Sequence, residues 1–538
     1  MVGFGLLALT AMVLVGYALP VRESHLPAGG LAIPHVTAAH DADGPYLAVR
    51  SAGGGELHAS QAAEGALLPV GTVALDARLA LDKRRTERLV STPTAMQWRR
   101  PLFGQPSAMV LRVAEVDAQG RLGPERIATI PQVDHGALPV LSLVLPEGAL
   151  FDPDSGIYVV GNAMLHGVEA EGITYGADPR WWKYPGNFHG RGKEWERRGR
   201  IQLLDTSGNE CFQAAVGVRI NGQMTRAFPQ HALRIVFDER LAGPLFSSGD
   251  GVGMKAMVVR SAGNDQIKAF MRDALLQRIC AGGRSEVSEA LSCVLYINGA
   301  YWGVHHIRHR MDEKELGRRH GVKPKSVAIA EVVKGGFSEH NEANKDLRRL
   351  VAMARKADGP GPRFLDSIYA VLDVDAFLEY MATMFYMDNR DWPGDNVRLW
   401  RSTDRKSGAD GRWRPIIQDL DLAYGAHMSP KADPMPDFKR TPSPIVTLFL
   451  GMMSAPELQE RFDGILRELL ATRFAPERVV AHVDSMEALL APEMHRHTAR
   501  WRKPANAAAW RAEVQVLRDF AQQRPDAMRM HFLHRPLP

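Results

Sequence analysis

Residues 290–307 read ALSCVLYI-NG-AYWGVHHI, two apolar runs of eight residues joined by Asn298-Gly299. Asn-Gly accepts the left-handed backbone of a two-residue turn, so the stretch predicts a β-hairpin with strands at 290–297 and 300–307. Upstream, LPVLSLVL at 138–145 is a continuous buried-strand candidate, and FDPDSGIY at 151–158 predicts a turn back into a strand. Residues 200–204, 214–220 and 232–237 add further strands of an antiparallel sheet. Helical periodicity appears at Asp265–Ile279, through Ile267, Phe270, Met271, Ala274, Leu275 and Ile279, and again at Asp373–Asp388. Val397–Trp400 and Trp413–Asp419 are strand-like, and Arg355–Arg363, with its Gly-Pro-Gly-Pro, is a loop or lid. Beyond Ser454 helices dominate, separated by Pro456, Pro476, Pro492, Pro504 and Pro525. No internal repeat is present, and the class predicted is α+β.

Working outward, residues 23–137 carry short alternating runs such as AMVLRVAEV (Ala108–Val116) between turn-forming breaks, the pattern of a small β-sandwich-like accessory region. Before it, GFGLLALTAMVLVGYALP (3–20) is uncharged and apolar, between a signal-peptide core and a full membrane span in length. Residues 1–22 therefore predict export, with cleavage after Ala18 favoured over retention as a membrane tether. The organisation expected is this leader, an accessory β region to 137, a core over 138–430 and a helical part over 431–538.

The chain has 538 residues, 45% of them hydrophobic and 24% charged, which excludes a disordered or polytopic membrane protein. Its 66 basic and 61 acidic residues leave +5, with no dense Lys/Arg block, so nucleic acid is not an expected partner. Cys211, Cys280 and Cys293 allow at most one bridge, and three buried thiols are the simpler expectation.

The densest polar cluster is Asp388-Asn389-Arg390-Asp391-Trp392-Pro393-Gly394-Asp395-Asn396, directly after an apolar helix. RPIIQDLD (414–421) then ends an apolar strand in two alternate carboxylates, Asp419 and Asp421, which would point the same way if the strand persisted. Carboxylates and an Asn amide, without Cys or paired His, suit Mg²⁺ or Mn²⁺ rather than Zn²⁺. An Asp followed five residues later by Asn, then by an Asp beyond a strand, is the order of parts in a kinase catalytic apparatus. Surface loops also use Asp and Asn as turn formers, so spacing alone leaves a plain turn open. A second group, GVRINGQMTR (217–226), is a strand and glycine turn flanked by arginines that could cover phosphates, or an ordinary hairpin.

Three blocks together resemble the spore-coat CotH kinase family, which are secreted atypical protein kinases: VRINGQMTRAFPQHALRI (218–235), YINGAYWGVHHIRHRMDEKEL (296–316), and NRDWPGDNVRLWR (389–401) with WRPIIQDLDLAYG (413–425). The resemblance implies an atypical kinase-like core that transfers the γ-phosphoryl of ATP, with Mg²⁺ or Mn²⁺, to a Ser/Thr hydroxyl of a protein outside the cytoplasm. It makes Asp391 the catalytic Asp and places Asn396, Asp419 and Asp421 at the metal, leaving open which of the last two binds directly. It assigns Arg219 and Arg226 to phosphate, with His231, Arg308 and Arg310 around them. A weaker likeness to carbohydrate-enzyme accessory domains implies an envelope or carbohydrate contact through the β region.

Two positions depart from the family pattern. The usual Lys near the end of the first block is Gln230-His231, and the acidic residue expected after the hairpin Arg is His309. A Lys–Glu pair orients phosphates in kinases, so a non-catalytic envelope or interaction protein with the same fold is the alternative.

Overall fold

The computed structural model describes residues 34–533, apart from 42–43, 72–73, 78–82, 173, 175, 242–244, 247–252, 339–341, 356–360, 362 and 405–408. The apolar segment at 3–20 and most of the centre of the 355–363 loop lie outside the described residues.

Strands β1 (His35–Asp41), β2 (Gly44–Arg50), β3 (Glu56–Ser60), β4 (Leu68–Gly71) and β5 (Ala74–Ala77) precede helix α1 (Lys83–Ser91). Strands β6 (Ala108–Val116) and β7 (Arg126–Pro131) follow. They form two sheets, β1-β2-β5 and β4-β3-β6-β7. Alternate residues Leu47, Val49, Leu57, Ala59, Leu111 and Val113 bury one core shared by both, as the two-residue period of a strand requires. Helix α1 belongs elsewhere. Its Leu89 and Val90, with Ala95, pack into the core of the next layer, and Thr94 Oγ1 donates to Pro229 O at 2.7 Å.

That layer is a closed barrel. Strands β8 (Val140–Val144), β9 (Arg197–Leu204), β10 (Glu210–Asn221), β11 (Ala232–Phe237), β12 (Ala256–Arg260), β13 (Ala290–Ile297) and β14 (Ala300–His309) pair in the order β10-β11-β12-β14-β13-β8-β9. An open antiparallel sheet closes here because β8 pairs antiparallel with β9 and parallel with β13, which removes both edges. The hairpin turn forms at Asn298 (φ 50°) and Gly299 (φ 79°). Asn298 also clasps Leu145, taking its N–H at 3.0 Å and donating to its carbonyl at 2.9 Å, so the turn is fastened to the end of β8.

Register sets the two barrel faces. Arg219 lies opposite Arg234, Arg234 opposite Val258, and Val258 opposite Arg308. Opposed residues share a face, so these four form one row across β10, β11, β12 and β14. The alternate set, Val218, Ile220, Leu233, Ile235, Met257, Val259 and Ile307, fills the barrel core. Arg260, two residues beyond Val258, therefore joins the outer arginine face.

The second half is mainly helical. Helices α2 (Glu147–Phe151) and α3 (Ala163–Glu171) decorate the barrel, and α4 (Arg272–Cys280) and α5 (Glu313–Arg319) lead away from it. Strands β15 (Val327–Val333), β16 (Gly336–Phe337), β17 (Val397–Ser402) and β18 (Arg414–Ile416) make a small sheet ordered β16-β15-β17-β18. Helices α6 (Lys345–Ala354), α7 (Arg363–Val371) and α8 (Val374–Met387) come before the last two of these strands. Helices α9 (Met435–Arg440), α10 (Pro444–Met453), α11 (Pro456–Ala471), α12 (Pro476–Trp501) and α13 (Ala507–Met528) complete the described chain. Helix α8 is capped by Asp373, which accepts from Ala376 N at 3.2 Å; all its residues but Asp375 are buried, most of them in the largest core.

Four local expectations are corrected. Residues 157–158 do not start a strand: their amides bond back to Ala149 O and Leu150 O of α2. The helix expected over 265–279 begins only at Arg272, because buried Asp265 takes the amides of Ala269 and Arg272 and Phe270 turns left-handed (φ 62°). The strand expected over 413–419 stops at Ile416, and Asp419 is left-handed (φ 52°). Pro492 and Pro525 lie inside α12 and α13 instead of breaking them; the neighbouring turns of both helices are packed in the core, through Leu490 and Met494 and through Ala521 and Met528, which outweighs the lost hydrogen bond. All three cysteines are free thiols, two of them buried. Among the described residues no helix is long and apolar enough to cross a membrane.

Candidate functional site

The site forms where the outer arginine face of the barrel meets the loops after α8 and β18. Strand β12 ends at Arg260, and the next turn places Ala262 and Gly263 in left-handed backbone (φ 63° and 60°). A Cβ on Gly263 would overlap the Asp421 carboxylate, so only glycine lets the chain pass there. The close approach delivers two donors: Asn264 N–H reaches Asp421 Oδ2 at 2.8 Å, and its side chain reaches Oδ1 at 3.3 Å. Arg260 Nη2 donates to Asp419 Oδ1 at 2.5 Å and to Asp421 Oδ2 at 3.1 Å.

Asp273, in the first turn of α4, ties this arrangement to the barrel. Its Oδ1 accepts from Leu420 N at 2.9 Å, fixing the peptide between Asp419 and Asp421. Its Oδ2 accepts from Arg308 Nη1 and lies 3.5 Å from Arg260 Nε. One buried carboxylate thus holds two strand arginines and the acidic loop together. The pairing of the two aspartates does not need a persistent strand; a left-handed turn and a shared guanidinium bring them together instead.

The other wall is the loop after α8. Asp388 ends the helix in left-handed backbone (φ 52°). Asn389 donates from Nδ2 to Asp419 O at 2.9 Å, joining this loop to the acidic one. Trp392 anchors it, with Nε1 donating to Tyr380 OH at 3.0 Å and its ring stacked on Phe438. Asp391 is left facing out, close enough to Asp419 that its carboxyl is raised, by burial first and then by the charges of Asp419 and Asp395. Asn396 is half-buried in left-handed backbone (φ 60°), and no described hydrogen bond joins it to the carboxylates. A cavity of about 380 Å³ adjoins the loop, bounded by Met384, Asn389, Arg390, Trp392 and Phe438 among others.

Burial and the adjacent Asp419 hold the Asp421 carboxyl, only 2% exposed, well above the ordinary carboxylate range, against the pull of Arg260 and Asn264. Asp419 is the open member of the pair, with 38% of its side chain exposed. Asp273 is matched by Arg308, while Arg260 serves both Asp419 and Asp421 and Arg390 lies near Asp391. Among the described residues no three acidic, His or Cys side chains converge to enclose a metal by themselves. Mg²⁺ needs only one or two carboxylates when phosphates and water complete its shell. The oxygen-only donors, with Asp419 open to solvent, fit such an ion.

The remaining sequence candidates fall into two sets. Arg219 and Arg234 lie on the outer face with Arg308, and Arg310 sits near Arg234. Arg219 is paired with Glu196 at 2.5 Å and Arg310 with Asp312 at 2.9 Å, whereas no hydrogen-bond partner reaches the buried Nε of Arg234. Burial depresses the Arg234 pKa first, and Arg310 and Arg219 depress it further. Arg226 and His231 face elsewhere. Arg226 is buried and spends its guanidinium on the carbonyls of Gly222, Phe188 and Gly190, at 2.7, 3.1 and 3.0 Å. His231 precedes Leu233 by two residues and so shares its inward face; it is wholly buried against Tyr158 and Phe188, and its Nε2 meets Thr94 O at 3.1 Å. His309 has the inward parity of Ile307, and its Nδ1 lies 3.0 Å from Glu315 Oε1. Among the described residues His231 and His309 share no partner. Sequence reasoning missed Arg260, Asn264 and Asp273. AMVVR (256–260) followed by SAGND carries the signal, an alternating strand ending in a cation before a glycine turn.

A search of curated proteins finds no match. Among solved structures the chain is similar to a Helicobacter pylori proinflammatory kinase, CtkA, at 8% identity and a TM-score of 0.29, over 56% of this chain and 94% of that one. That likeness is too loose to carry an argument. The family model for the CotH kinase protein matches residues 218–528, from the arginine row through the carboxylates to the end of α13. Because this span is more than half of the sequence, the chain belongs to the CotH kinase family and is a kinase-like protein.

Proposed function

We propose that the protein is an exported kinase that transfers the γ-phosphoryl group of ATP to a Ser or Thr hydroxyl of a protein acceptor, with Mg²⁺ or Mn²⁺. The observation that carries this reading is the pairing of Asp419 and Asp421 on Arg260, with Asp391 close enough to Asp419 to feel its charge. A divalent ion held by Asp419 and Asp421 would neutralise phosphate charge and align the γ-phosphate. Asp391, with its carboxyl raised above the usual range, orients the acceptor hydroxyl and takes its proton. The hydroxyl oxygen forms the new bond to Pγ, the bond from Pγ to the bridging oxygen breaks, and ADP carries away the electron pair. Arg219, Arg234 and Arg308 supply a fixed positive face to the phosphates. The cavity beside Asn389 and Arg390 offers room on the acceptor side. Export is supported by the uncharged apolar segment at 3–20.

A non-catalytic member of the family is the second reading. Two observations favour it: Arg260 already pairs with both metal-side carboxylates, and His231 and His309 face inward, where no Lys–Glu pair could reach phosphate.

The deciding experiment measures nucleotide binding and phosphoryl transfer on the same preparations. Wild type should be stabilised by ATP with Mg²⁺ or Mn²⁺, since a ligand of the native state raises its melting temperature. Asp391→Ala should abolish transfer while keeping metal-dependent binding, and Asp419→Asn should remove the metal dependence. Wild type that binds no nucleotide with either ion overturns the catalytic reading.

A further inference from the structure

Among the described residues Arg260 is the cation that touches both metal-side carboxylates, and no sequence motif singled it out. We propose that it is a positioning residue with two stations: an internal counter-ion for Asp419 and Asp421 in the unliganded protein, and a phosphate contact once metal and nucleotide are in place. The proposal rests on the kinase reading above and extends it to a coupling between the two ligands.

Three observations support it. First, Arg260 ends β12 on the outer face of the barrel. Leu233 is opposite Val259, so the next outward step places Arg260 beside Ala232, the residue after His231. Arg260 therefore points to the outer face that His231 does not reach. Second, it has a helix carboxylate beside it. Asp273 lies 3.5 Å from Arg260 Nε and bonds Arg308, giving the strand-cation and helix-acid pairing that orients phosphates in kinases. Third, its bonds to the acidic pair compete with a metal. Arg260 Nη2 occupies Asp419 Oδ1 and Asp421 Oδ2, the oxygens a divalent ion would take. When the ion arrives, two like charges cannot both stay against the same oxygens. The guanidinium must turn outward, where the neighbouring outer-face arginines already favour an anion.

The consequence is thermodynamic coupling. Metal alone has to displace Arg260, and nucleotide alone meets a cation already engaged. Together each removes the other's obstacle, and linkage makes the effect reciprocal. In wild type, nucleotide should therefore tighten Mn²⁺ binding.

The test measures Mn²⁺ binding to the full chain by electron paramagnetic resonance, with and without ADP, for wild type, Arg260→Gln and Arg260→Lys. Melting temperature is followed in parallel. Arg260→Gln should bind Mn²⁺ alone about tenfold more tightly, bind ADP more weakly, and lose most of the coupling, as follows from removing one competing charge. Its melting temperature should fall without metal and recover with Mn²⁺, because Asp419 and Asp421 then repel unscreened. Arg260→Lys should fall between the two. A merely structural Arg260 would weaken both ligands together, and that result overturns the proposal. Unchanged Mn²⁺ and ADP binding in a folded Arg260→Gln also overturns it, while leaving the kinase reading intact. Wild type that binds Mn²⁺ but no nucleotide overturns both.

Discussion

Asp273 offers the sharpest test of how the site is held. It is 3% exposed and bonds both Arg308 and the amide of Leu420. Asp273→Ala leaves Arg308, itself buried, without its carboxylate, and breaking a buried pair from one side costs roughly 3–5 kcal/mol. At about 2 °C per kcal/mol for a unit of this size, melting should drop by roughly 6–10 °C. Asp273→Asn keeps an oxygen for the Leu420 amide but not the charge, so it should recover only about 2 °C of that loss, the worth of one neutral hydrogen bond. The double variant Asp273→Ala with Arg308→Met removes both partners and should melt several degrees above Asp273→Ala alone, since replacing a whole buried pair costs far less than orphaning half of it. Differential scanning calorimetry on the four proteins reads all of this. If Asp273→Ala melts within about 2 °C of wild type, or the double variant is no better than the single, Asp273 is not the tie described here.

The remaining predictions concern the arginines and pH. Arg234→Ala should weaken ATP binding roughly tenfold to a hundredfold, the range for a lost charge-assisted bond, with little change in melting, as isothermal calorimetry would show. Arg226→Ala should do the opposite, lowering the melting temperature through the three carbonyls it leaves unpaired while sparing affinity for nucleotide. Burial pushes His231, His305 and His497 down to about 3 and His306 down to about 4. Their folded values lie below the unfolded one near 6.5, so the unfolded state gains protons first on acidification. Stability should be full above about pH 6.5 and fall steadily from there toward pH 5, at up to ~1.4 kcal/mol per pH unit for each histidine. Asp421, shifted the other way, offsets about one of the four. A flat melting profile over that interval would contradict the burial of these rings.

Much of the site was legible because it sits on short, local patterns. The Asn298-Gly299 hairpin, the helix ending before Asp388 and the acidic pair at 419 and 421 all follow from neighbours in sequence. What the sequence hid was closure and parity. Nothing in LPVLSLVL says that β8 pairs with β13 as well as β9 and so turns a sheet into a barrel. That closure decides which alternate residues face inward, and it sends His231 into the core while Arg219 and Arg234 stay outside. Arg260 escaped notice because its role depends on carboxylates about 160 residues downstream, a proximity no local period encodes. Asp265 misled in the other direction: its neighbours keep a helical period, yet its buried carboxylate captures two backbone amides and delays the start of the helix to Arg272.

Helix α12 reaches back across most of the chain to finish the barrel. Glu493 accepts from Tyr301 OH at 2.6 Å and meets His135 at 2.9 Å, His497 takes the amide of Val304 at 3.1 Å, and Trp501 donates to Trp302 O at 2.9 Å. These bonds satisfy polar groups in strand β14 and in the segment between β7 and β8, and they exist only when residues 493–501 are present. During synthesis the ribosome releases the arginine face and the acidic loop long before it releases this clasp. Contacts separated by more than 350 residues, as His135 and Glu493 are, make late and slow events in folding. The nascent chain therefore carries an incompletely fastened barrel until residues 493–501 emerge, the kind of partly packed species in which exposed apolar surface favours aggregation.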